Sequence, residues 1–152
     1  MKTTIRVTVL AVVCIVMAGG AYAQFAKPED AIKYRKSVMF MIAQHFKRMG
    51  AVVQGKMDYD KQAFATNAEV VKVLAGLPWE ASMVPGSDKG ETTLSPAVFS
   101  RETEFKASAQ AFEMAAGKLA AASLGDDFDA IKTEFGMVAK SCKACHQSFR
   151  TK

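Results

Sequence analysis

Residues 124–149 read LGDDFDAIKTEFGMVAKSCKACHQSF, and this stretch decides the fold. Phe128, Ile131, Phe135, Val138, Cys142, Cys145 and Phe149 recur at alternating spacings of three and four. That period places them on one seam of an amphipathic helix. Leu124-Gly125 closes the preceding element, and Asp126-Asp127 supplies a new N-cap. A helix with so continuous an apolar seam must bury it against other helices.

Three partners lie upstream. Pro28 suits a first helical position, and Glu29 and Asp30 complement the positive helix end. Ile32, Arg35, Met39, Ile42, Phe46, Met49 and Val53 then mark one face of a long helix that Gly55 and the 58–60 stretch end. A second helix is predicted from about Lys61 to Leu77, stopping at Pro78, with Phe64, Ala68, Val71, Leu74 and Ala75 inward. Residues 78–97, with three of the four Pro plus Gly86 and Gly90, read as one long loop. A third helix carries Phe105, Ala109, Phe112, Ala116 and Leu119 on one face. No alternating strand pattern is sustained. The expected architecture is all-α, an antiparallel four-helix bundle in one domain.

Composition agrees. Of 152 residues 50% are apolar and 23% charged, which excludes a disordered chain. Three Cys are too few for a disulfide scaffold. The net charge of +5 comes without a Lys/Arg run or an aromatic–basic patch, so no nucleic-acid partner is expected.

Residues 1–23 read as a secretory leader. Lys2 and Arg6 precede an apolar run from Val7 to Ala18, and Ala21-Tyr22-Ala23 forms an A-x-A ending. The run is shorter than the roughly 20 apolar residues of a membrane span. Cys14 lies inside it after Val13, not after a small residue as a lipid-modified Cys would. Cleavage after Ala23 would leave the domain at 24–152, exported to the periplasm, with Cys142 and Cys145 as its only Cys and no membrane contact.

The chemistry lies at Cys142-Lys143-Ala144-Cys145-His146. At about 100° per helical residue, the two thiols and the imidazole emerge on one side within a turn. C-x-x-C-H is the attachment pattern of haem c: two thioethers fix the cofactor and the adjacent His146 supplies an axial nitrogen to iron. A zinc site would want about four ligands, and His45 is the only other His. A thioredoxin-like centre would place C-x-x-C at a helix start after a strand, not near the end of the last helix. A disulfide within one helical turn would have poor geometry.

Arg35 is the lone charge on the apolar stripe of the first helix and needs a partner. Haem propionates suit its guanidinium fork. The alternative is an Arg whose stem packs while its head reaches solvent. Lys36 and the loop residue Thr93 are further propionate-contact candidates.

A motif so near the end of the last helix resembles the class II cytochromes c, and within them the cytochrome c prime family. The resemblance covers the chain after the leader. It includes Lys33-Tyr34-Arg35-Lys36, Leu77-Pro78-Trp79, the motif from Cys142 to His146, and Arg150. Lys36, where many members have Gln, and Phe149, where Tyr is frequent, depart from it. The resemblance implies an exported four-helix bundle, a homodimer, with high-spin iron held five-coordinate by the motif His, binding nitric oxide and carbon monoxide. It places Met39 above the iron as an apolar cap, or, in low-spin members, as a sixth ligand of a simple electron carrier. It places Arg150 beside the proximal haem face, unless it is a solvated tail charge. Val38, Phe40, Met41 and Val52 lie outside the core stripe and Phe25 precedes it, so a dimer through the first two helices is expected. No acid–base group can be placed on the distal face, so no enzyme is expected, and the redox partner is not read from the sequence.

Overall fold

The structure, a computed structural model, describes residues 25–151. The expected leader over 1–23 lies outside the described residues. Six helices follow in order: α1 (Pro28–Val53), α2 (Lys61–Leu74), α3 (Pro78–Ser82), α4 (Ala97–Ser100), α5 (Glu102–Ala122) and α6 (Phe128–Phe149). The four long ones, α1, α2, α5 and α6, form the bundle.

Local chemistry sets the boundaries. Pro28 occupies the first turn of α1, where its missing N–H leaves no bond unmade. Gly55 takes φ of 69° just beyond its end, a conformation that glycine reaches without a Cβ clash. Asp60 caps α2 by accepting from the Ala63 amide at 2.8 Å. Asp127 caps α6 by accepting from the amides of Asp129 and Ala130, both at 3.0 Å. Such caps each contribute about 1 kcal/mol.

The main core gathers Ile42 and Met49 from α1, Phe64 and Val71 from α2, Phe112 and Leu119 from α5, and Ile131 and Val138 from α6. Each large side chain so buried contributes about 1.5–3 kcal/mol. A second cluster of Val98, Phe105 and Phe149 sits under the 94–99 connection, with Trp79, Leu94 and Cys145 against it.

Two expectations need correction. Residues 78–97 are not one loop: Pro78 opens the short helix α3, and α2 already ends at Leu74. Proline is tolerated at a helix start, so here it begins an element instead of only stopping one. Val38 is not surface surplus but 3% exposed and part of the core. It lies one turn from Arg35 and Ile42, on a second buried ridge where α1 packs on its neighbours. Val52 also leans on the core, whereas Phe40 and Met41 are exposed at 63% and 42%. Phe25 packs on Tyr34 at 5.3 Å between ring centroids.

The packing is uneven in a way that matters for the site. α1 lies along α2, α2 along α5, and α5 along α6, whereas the backbones of α1 and α6 barely approach each other. Near one end Phe46 stacks on Phe135, with centroids 4.2 Å apart and planes 4° from parallel. Toward the other end the two helices leave a space.

Candidate functional site

That space is a cavity of about 930 Å³, near the upper end of the roughly 300–1,000 Å³ typical of small-molecule pockets. α6 supplies Cys142, Cys145 and His146, with Arg150 just past its end; α1 supplies Arg35, Lys36 and Met39; the connection supplies Thr93. All eight residues singled out in the sequence therefore line one cavity. Its remaining walls are largely apolar, with Ile42, Ala43 and Phe46 beside Met39, Trp79, Phe105 and Phe112 from the bundle interior, and Leu94 over one side.

The thiols are free and half-buried. Burial is the main cause that pushes the Cys142 thiol from its ordinary 9.0 up to about 11, with the neighbouring Cys145 charge adding to it. Burial raises Cys145 as well. Both sulfurs thus keep their protons at neutral pH. Burial, and then the nearby Arg150 charge, lowers the His146 pKa, so its imidazole is neutral with a lone pair to give. Two neutral thiols and a neutral imidazole on one wall of an apolar cavity fit a flat, mostly apolar cofactor that brings its own metal. Trp79 is half-buried, and its buried Nε1–H, without an acceptor among the described residues, is a donor that a cofactor's polar edge would satisfy.

Arg35 already has partners. Its guanidinium donates to the Ala81 carbonyl at 2.9 Å, Ser87 Oγ at 3.3 Å, the Ser87 carbonyl at 2.8 Å and Thr92 Oγ1 at 2.7 Å. The charge is 6% exposed, and burial lowers its pKa while Asp88 partly restores it. Its head does not snorkel to solvent: it pins the 81–92 segment to α1. None of Ala81, Ser87 and Thr92 was legible in the sequence, because a loop's path over a helix has no periodic signature. Lys36 donates to the Glu91 carbonyl at 3.2 Å from the exposed side. Thr93 accepts from Arg150 Nε at 3.1 Å. Met39 is half-buried at the edge of the core. His45 sits elsewhere, its Nδ1 2.8 Å from Asn67 Oδ1 on α2.

A family profile described as Cytochrome C' matches residues 30–150. The chain belongs to the cytochrome c prime family. It is 45% identical over 129 residues to the cytochrome c' of Alcaligenes xylosoxydans xylosoxydans, spanning 85% of this chain and 99% of that one. Among solved structures, cytochrome c prime from Shewanella frigidimarina superposes with a TM-score of 0.82 at 36% identity, over 85% of this chain and all of the other. A nitric oxide complex of a single-site variant of Alcaligenes xylosoxidans cytochrome c prime superposes at 0.79 with 44% identity, over 85% and 99%. Cytochromes c prime carry haem c covalently, and here Cys142 and Cys145 are the two thiols of the attachment motif. When bound, the haem would supply an iron able to accept a nitrogen donor such as the neutral His146 imidazole. Cys142 and Cys145 would hold the haem covalently as thioethers.

Proposed function

We propose that this protein is an exported, periplasmic haem c protein whose iron is high-spin and five-coordinate through His146, and that it binds nitric oxide and carbon monoxide. The observation that carries this reading is the cavity itself. His146 stands on the α6 wall, while the α1 wall presents Met39 with Ile42, Ala43 and Phe46. An apolar wall of that kind offers bound dioxygen no hydrogen bond, yet nitric oxide and carbon monoxide need none. The nitric oxide complex of the Alcaligenes relative supports the same assignment. Met39 acts as a steric cap that an incoming gas displaces, which makes association slow. Lys36 contacts a propionate from the rim; Arg35 does so only by sharing donors it already gives to the 81–92 segment.

Apart from gas binding, the iron takes part in electron transfer by exchanging single electrons with a separate redox partner, and no catalytic turnover is assigned. The second reading keeps Met39 as a sixth ligand in a low-spin electron carrier, because its thioether lines the same cavity. Absorption spectra of the ferric and ferrous protein, with and without nitric oxide, decide between them. High-spin spectra that convert on adding the gas are expected; a low-spin spectrum indifferent to it would overturn the proposal. We further propose a homodimer through α1 and α2, with exposed Phe40 and Met41 in the contact. A monomer mass by sedimentation at micromolar concentration would reject it.

A further inference from the structure

The segment 86–95 is tied at both ends. Toward α1, Ser87 and Thr92 accept from Arg35, and the Glu91 carbonyl accepts from Lys36. Toward the end of α6 it forms a short antiparallel pairing, with Leu94 opposite Arg150. The Thr151 amide donates to the Thr93 carbonyl and the Ser95 amide to the Phe149 carbonyl, both at 2.9 Å. Thr92 Oγ1, held by Arg35, also accepts from the Leu94 amide at 3.1 Å, which fixes the turn into this pairing. The side-chain bond from Arg150 Nε to Thr93 Oγ1 at 3.1 Å lies within that frame.

Arg150 is exposed and directly follows α6, and its amide bonds the His146 carbonyl at 3.2 Å. An exposed Arg at a helix end would sample many rotamers, and its charge would be spread and screened. Here one hydroxyl on a strap anchored to a different helix restrains it.

We propose that Thr93 is a positioning residue, whose hydroxyl holds the Arg150 guanidinium at the His146 side of the site and so sets the positive charge presented there. This rests on the haem reading above. It also gives Thr93 a task other than a propionate contact. A fixed cation near an iron centre favours the reduced form, which carries one positive charge fewer. Releasing the guanidinium into solvent removes part of that bias.

The test uses the holoprotein and reads the ratio of reduced to oxidised protein at one fixed ambient potential. Thr93→Val is expected to lower the ratio roughly three- to tenfold at low ionic strength, Thr93→Ser to restore it, and Arg150→Gln to lower it at least as far. The double variant Thr93→Val/Arg150→Gln should match Arg150→Gln alone, and the differences should shrink with added salt. In nitrogen-resolved NMR the Arg150 Nε–H should exchange slowly in wild type and Thr93→Ser but fast in Thr93→Val. Thr93→Ala serves equally if Val disturbs the pairing. A ratio unchanged in both Thr93→Val and Thr93→Ala overturns the proposal. So does a further drop in the double variant, which would mean that Thr93 acts by a route other than Arg150. Wild-type protein whose intact mass lacks a covalent haem would instead overturn the underlying haem reading.

Discussion

Replacing Arg35 with Met keeps much of the side-chain volume and removes the charge and the donors. The consequence can be worked from its four acceptors. Ser87 Oγ also donates to the Ser82 carbonyl, at 3.5 Å, and Thr92 Oγ1 is held by the Leu94 amide, so both hydroxyls keep a partner. The Ala81 and Ser87 carbonyls lose the side-chain donor that meets them. Each buried carbonyl left unmet costs about 1–3 kcal/mol. The variant, in turn, no longer bears the cost of burying a guanidinium, which offsets part of the loss. The expected net destabilisation is about 3 kcal/mol, or a fall in melting temperature of roughly 10 °C for a domain of this size. Denaturant unfolding of the holoprotein, followed by circular dichroism, should show a lower midpoint with little change in slope. Arg35→Lys should recover less than half, because one ammonium cannot bridge acceptors on both sides of a planar fork. The loss should be nearly independent of salt, since the interaction is buried. A destabilisation below about 1 kcal/mol would refute the reasoning, because the guanidinium would then not be what fastens the 81–92 segment to α1.

Other outcomes follow from the same geometry. Intact mass of the purified protein should exceed that of its polypeptide by one haem, and Cys142→Ala with Cys145→Ala should abolish haem that survives acid-acetone extraction. Met39→Ala should speed carbon monoxide association while the spectrum stays high-spin; an iron–sulfur charge-transfer band lost in the variant would make Met39 the sixth ligand. The haem-free chain should lose stability in alkali. The folded state holds the Cys142 proton more tightly, with a pKa of about 11 against an ordinary 9.0. That contribution is present below pH 9 and disappears as pH rises through about 11, amounting to roughly 2 kcal/mol. The holoprotein, whose sulfur carries no proton, should lack that slope in parallel unfolding titrations.

The four long helices and the attachment motif were legible because both are local patterns. A seam with a period near 3.6 appears in the residue order itself, as from Phe128 to Phe149, and C-x-x-C-H needs only one helical turn to bring its groups together. A cap such as Asp127 acts within three residues and is equally readable. Val38 was misread because a one-stripe reading of α1 cannot show that its neighbours bury two ridges. Only the tertiary structure decided what fills the space around Arg35 and Arg150. The acceptors for Arg35 lie 46 to 57 residues away along the chain, and Thr93 lies 57 residues from Arg150. Those meetings depend on the path of an aperiodic connection across the bundle. That path is set by which backbone groups find partners once the helices have packed, and residue order alone contains no pattern that reports it.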